Sequence, residues 1–179
     1  MKHNSICILI FLVCFSCCTV RSQGISYDCR LHEGDFSALE YVQGSLIESS
    51  FSEFTGNIDN GVFFIHRYLG QDNFSKAILL REESGEAVVA DLLSKKEVVL
   101  SNEQQMKVGE TLNNIEKGAF RQACFKGASE GSVSVLVVKV GGATVLKYEA
   151  AQHDYSHLNE SERVKIKNAL ELIKLLVST

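Results

Sequence analysis

Apolar residues recur along this chain in two rhythms, one of three to four residues and one of two. Between Phe36 and Phe54 they fall at Phe36, Leu39, Val42, Leu46, Ile47, Phe51 and Phe54, a spacing that predicts an amphipathic helix over 36–54. Ser37 and Glu40 fit a capping box at its start, while Gly44 and several serines weaken it. Asp59-Asn60-Gly61 is a turn signal, and the aromatic and β-branched run from Val62 to Tyr68 predicts a strand. Ala77 to Arg81 and Ala87 to Leu93 read as a hairpin around Glu83-Ser84-Gly85-Glu86, extended by Val98 to Leu100. Ser101 with Gln104 is a second capping box, opening a helix whose apolar face is Met106, Val108, Leu112 and Ile115. Ser132 to Val140 and Ala143 to Ala150 form another hairpin around Gly141-Gly142, a pair suited to positive φ at both central positions. Asn159 is a good N-cap for a last helix, reaching about Val177, with Val164, Ile166, Ala169, Leu170, Ile173 and Leu176 or Val177 on its apolar side. Residues 23–35 are polar and mixed and read as an extended lead-in that Cys29 pins down.

The two hairpin–helix stretches line up without a gap at an offset of 58 residues. Ala77 to Arg81 falls on Val135 to Lys139, Ala87 to Asp91 on Val145 to Glu149, and Ser101 on Asn159. Met106, Val108, Leu112 and Ile115 fall on Val164, Ile166, Leu170 and Ile173. Few residues are identical; what recurs is strand, turn, strand and capped helix with the same apolar phase, over about 76–116 and 134–174. The pattern predicts an α+β fold: a mainly antiparallel sheet with helices packed on one face.

The first 22 residues behave differently. Lys2 and His3 precede Ile6 to Phe15, a ten-residue stretch without charge, and Val20-Arg21-Ser22 offers a cleavage site before Gln23. That is the layout of a secretory signal, and the apolar run is too short to span a bilayer. The expected organisation is therefore a signal peptide at 1–22 and one α+β domain at 23–179, exported to a periplasm or the cell exterior. Cys17 and Cys18 are the positions a bacterial lipid anchor would use, but Cys14-Phe15-Ser16 lacks the usual Leu and small-residue pattern, which favours release.

Removing the leader changes the cysteine count. Cys7, Cys14, Cys17 and Cys18 go with it and only Cys29 and Cys124 remain, a pair that reads as one disulfide in an exported chain. Closing a loop of about 95 residues would stabilise the fold by roughly 4–5 kcal/mol on the chain-entropy account. The remainder carries 16 basic against 22 acidic residues, with no basic cluster longer than two. A nucleic-acid binder needs a positive stripe to neutralise phosphates, so that class is set aside. With no proline in the chain there is no Pro-rich linker, and no second long apolar run predicts a transmembrane segment after the leader.

Candidate chemistry is thin. Gln152-His153-Asp154-Tyr155-Ser156-His157 is the densest polar cluster. His153 and His157 could share a metal on one helix face, but they precede the N-cap Asn159, lack the Glu of H-E-x-x-H, and have no third ligand nearby. Solvated loop histidines are the expectation, with no metal or cofactor. No G-x-S-x-G is present; His66 and Asp154 could orient a serine, yet nothing in the sequence selects them. Gly141-Gly142 needs no phosphate to explain it. Glu82-Glu83 and the pair Glu160 and Glu162 sit at turn and helix-start positions that favour acids. Asn73-Phe74-Ser75 and Asn159-Glu160-Ser161 are glycosylation acceptors in a eukaryotic source. The absence of a convincing catalytic set leaves a binding role as the first expectation: a small acidic exported domain that covers another protein, in the manner of a periplasmic inhibitor or immunity protein. The alternatives are a hydrolase, metal-dependent or otherwise, built on His153, Asp154 and His157, and an envelope structural protein.

Overall fold

A computed structural model describes residues 28–68, 74–125, 132–150 and 158–179. The leader at 1–22, Asn73 and the 152–157 cluster lie outside those residues. Among the described residues eight strands make one mixed sheet: β1 (Asp28–Glu33), β2 (Gly61–Tyr68), β3 (Phe74–Glu83), β4 (Glu86–Asp91), β5 (Lys96–Val99), β6 (Gly118–Phe125), β7 (Ser132–Val140) and β8 (Ala143–Ala150). Their spatial order is β1-β6-β8-β7-β2-β3-β4-β5. Neighbours run antiparallel except β6 and β8, which are parallel. Among the described residues three α-helices accompany the sheet: α1 (Glu48–Asn57), α2 (Asn102–Asn113) and α3 (Glu160–Ser178). The α+β class expected from the sequence is the class observed.

The central strands carry unbroken apolar runs because both of their faces are covered. Val62 and Phe64 of β2 face a core shared with Ile78, Leu80, Leu136, Val138, Leu146 and Tyr148, closed by Val108 of α2, by Ile115 just beyond its C-terminus, and by Ile166, Ala169, Leu172 and Leu176 of α3. Phe63 and Ile65 point the other way, into a second core with Leu79, Val135 and Val137, closed by Phe51 and Phe54 of α1 and by Phe36, Val42 and Ile47. The helices are thus not confined to one face: α2 and α3 share one, and α1 covers the other. The ring of Phe63 lies 4.9 Å from Phe51 and 5.6 Å from Phe54, which locks α1 to β2.

The single helix expected over 36–54 is replaced by two shorter pieces. A 3-10 turn occupies Ala38–Tyr41, and α1 begins only at Glu48. Gly44 adopts φ +73, a left-handed conformation that cannot continue an α-helix, and its N–H donates to the Glu48 carboxylate at 2.6 Å. Ser37 makes no side-chain cap. The apolar positions still find the core, save that Leu39 and Leu46 face water. Two strands escaped sequence reasoning: β1 lies inside the expected lead-in, and β6 was not expected. Both lie at or beside a sheet edge, and β6 mixes apolar with polar residues. Gln122 of β6 is buried because its side-chain oxygen accepts from the Tyr148 hydroxyl at 2.7 Å.

The strand–strand–helix order does recur, with both capping boxes formed, Ser101 with Gln104 and Asn159 with Glu162. Val108 and Ile166 are buried alike, and Met106 and Val164, expected on the apolar faces, are instead exposed alike at 70% and 66%. The gapless offset fails in the second strand. Leu80 pairs with Val89 and Val138 with Leu146, so equivalent positions there are 57 apart, and a register shift after Val138 absorbs the difference. The two units also differ in hand. β3 and β7 are both antiparallel to β2 and hence parallel to each other, yet their hairpin partners β4 and β8 lie on opposite sides. With α2 and α3 on the same face, no rotation superposes one unit on the other.

One buried charge secures the second layer. Lys139, at the end of β7, is almost wholly buried, and its ammonium donates to Phe54 O at 3.1 Å and Thr55 O at 2.7 Å. Those are carbonyls of the last turn of α1, which have no intrahelical partner, and the negative end of the helix dipole favours a cation there. Replacing Lys139 by Met keeps the apolar stem but strands the two carbonyls. Lys139→Met is expected to lower the unfolding free energy by about 2–3 kcal/mol. Urea unfolding checks this as a lower midpoint at unchanged slope; a wild-type midpoint would show that the carbonyls find other donors.

Candidate functional site

The two edges of the sheet are treated differently. At the β1 edge the Leu31 N–H donates to Glu162 of α3 at 3.1 Å, and Lys165 of α3 pairs with Glu33. Glu162 also accepts from the N-cap Asn159 N–H at 3.1 Å, so one carboxylate both caps α3 and guards the strand. The β5 edge has no such cover among the described residues. All four residues of β5 are exposed, Val98 at 45% and Val99 at 52%. Leu100 N donates to Ala87 O at 2.9 Å, so along the ladder Val98 and Lys96 face β4. The backbone groups of Glu97 and Val99 therefore point outward, where another strand would bind. Glu97 is held by Arg81 at 2.8 Å, which keeps the short edge extended.

A cleft of about 340 Å³ lies between α3 and strands β2 and β3. Phe64, Leu170, Ile173 and Val177 line it with His66, Lys76 and Lys174. His66 stands opposite Ser134 in the β2–β7 register, and its Nδ1 lies 2.8 Å from the Ser134 hydroxyl. The pair is one that sequence reasoning did not select, since the residues are 68 apart. Ser134 is itself buried, so its oxygen is poorly placed to attack a bulky substrate. The ring of Tyr68 stands edge-on to His66 at 5.9 Å.

The remaining candidates fall out as follows. Cys29 is buried and lies directly opposite Cys124 in the antiparallel β1–β6 register. His153, Asp154 and His157 lie outside the described residues, and among the described residues no three His, Cys, Asp or Glu side chains gather as metal ligands. Gly141 and Gly142 form the hairpin turn expected of them, with φ of +59 and +79, docked by Gly142 N to Asp59 O and Gly141 N to the Asn60 side chain. Glu83 pairs with Arg81, and Glu160 and Glu162 occupy the first turn of α3. No helix among the described residues is long and apolar enough to cross a membrane.

A charged latch ties the 35–41 segment to the far half of the sheet. Lys147 donates to Asp35 at 2.7 Å and holds its carboxyl below the usual carboxylate range. Arg121 pairs with Glu149, its register partner on β8, at 2.9 Å and stacks over Phe36 at 5.0 Å. Burial, followed by the hydrogen bond and charge of Glu149, pushes the Tyr41 phenol up to about 12. No signal for this latch exists in the sequence, since Tyr41 and Glu149 meet only through the fold.

No protein-family model matches the chain, and neither a curated protein nor a solved structure shows significant similarity to it.

The latch sets a pH dependence. Folding favours the neutral Tyr41 phenol, so its contribution is intact below the ordinary value of 10.0 and is lost as the pH rises through about 12. Urea midpoints measured across that window are expected to fall, and Tyr41→Phe is expected to reduce the fall. Parallel curves for the two proteins would show that the phenol does not titrate differently in the folded state.

Proposed function

We propose that this is an exported domain that binds another protein, and that it does so by taking an extended segment of the partner onto the outer edge of β5. The observation that supports the reading is the uncovered edge: outward-facing backbone at Glu97 and Val99 beside exposed Val98, on a sheet whose opposite edge is guarded by α3. Backbone pairing supplies affinity in strand addition, and the alternating side chains supply selectivity. The excess of acidic residues suits a basic partner and speeds encounter.

Export rests on the leader at 1–22 and is supported by the cysteines. Directly opposed residues on antiparallel strands have Cα atoms about 4.5–5.5 Å apart, inside the window a disulfide needs. In this reading Cys29 and Cys124 each lose a proton and together give two electrons to a disulfide oxidant of the export compartment, which fastens β1 to β6.

Two outcomes are expected. Val99→Pro removes an outward N–H without touching the β4 ladder, so it should keep the wild-type thermal midpoint while losing the partner that wild-type protein captures from its compartment. In wild type, partner binding should slow amide exchange at Glu97 and Val99; equal capture by Val99→Pro would refute edge addition. Mass spectrometry of exported material without reductant should find Cys29 linked to Cys124. Two free thiols there would overturn the crosslink and weaken the case for export.

A further inference from the structure

We propose that the cleft under the C-terminal half of α3 is a binding site for a small amphipathic carboxylate, an aliphatic or aryl-alkyl acid whose apolar body is on the order of eight carbons. Its volume of about 340 Å³ is at the lower end for small-molecule sites. Phe64 and Ile173 are buried side chains that form an apolar floor, and Leu170 and Val177 of α3 wall it. Filling such a space with hydrocarbon removes apolar surface from water on both sides.

Charge selects the head group. Three basic side chains line the cleft, His66, Lys76 and Lys174, and no carboxylate is among the described lining residues. His66 and Lys76 are direct partners across β2 and β3, so both rise from the same face of the sheet. The Ser134 contact at Nδ1 fixes the His66 ring, and Lys174 approaches from the helix. Two acids among the described residues neighbour the lysines, and both are shared or exposed: the charge of Lys76 also acts on Asp91. Glu171 pairs with Lys174 at 3.0 Å in an exposed i,i+3 contact of the kind that contributes little, and Asp91 is engaged by the N–H groups of Leu93 and Ser94. A carboxylate at the rim would receive charge-assisted hydrogen bonds, an alcohol only weaker ones, and an amine would meet like charge. The site is separate from the β5 edge and stands whether or not that edge binds a partner.

Octanoate is the probe. Added to the purified protein, it should shift the methyl resonances of Leu170, Ile173 and Val177 saturably, at submillimolar to millimolar concentrations, and raise the thermal midpoint. The double variant Lys76→Gln with Lys174→Gln should bind about five- to tenfold more weakly while remaining folded. Val177→Trp, at a half-exposed wall position, should fill the mouth and abolish the shifts. Octanol should bind more weakly than octanoate, and octylamine weaker still. Absence of a saturable shift with octanoate would overturn the site. Equal binding of octanol, or wild-type affinity in the double lysine variant, would overturn its assignment to carboxylates.

Discussion

A sheet buried on both faces needs two covers, and that requirement organises this protein. The four residues Val62 to Ile65 and their neighbours Val135 to Val138 carry large side chains to both sides. On one side two long amphipathic helices meet them. On the other, among the described residues, the cover is the short α1 and the irregular segment before it, and the contact is made firm by aromatic stacking on Phe63 and by the Lys139 ammonium. A buried cation is costly unless its donors are matched. Here the matching groups are helix-end carbonyls that would otherwise lack partners, so two liabilities cancel.

Elements with strong local signals were legible in the sequence. The hairpins around Ser84-Gly85 and Gly141-Gly142 and the capped starts of α2 and α3 stand where spacing and turn chemistry place them. The irregular segment between Phe36 and Ile47 carries a helical spacing because burial at steps of three and four also suits a chain that folds over a sheet in short turns. Gly44 was the available warning. β6 was missed because its neighbours, β1 and β8, come from distant parts of the chain and its polar members are satisfied by them: Gln122 by Tyr148, Arg121 by Glu149.

The candidate sites divide the same way. Cys29 and Cys124 were paired by counting, and their register is one that a crosslink would fit. The His66–Ser134 contact and the cationic cleft depend on strands far apart in sequence, so no local motif could announce them. The edges of the sheet were equally hidden, since strand order is a property of the whole topology.

The opposite hand of the two hairpin–helix units limits how their parts can be exchanged. In both units the helix packs on the same face of the sheet, but β4 extends away from β2 on one side and β8 on the other. Suppose the 76–116 segment were transplanted into the place of 134–174. Its first strand could pair with β2 in the native direction only after a half-turn about its own axis, and that half-turn would carry its helix to the face already occupied by α1. The similar apolar phase would then work against the chimaera, directing every core residue of the graft into the wrong layer. Resemblance of pattern between the units therefore does not make them interchangeable modules.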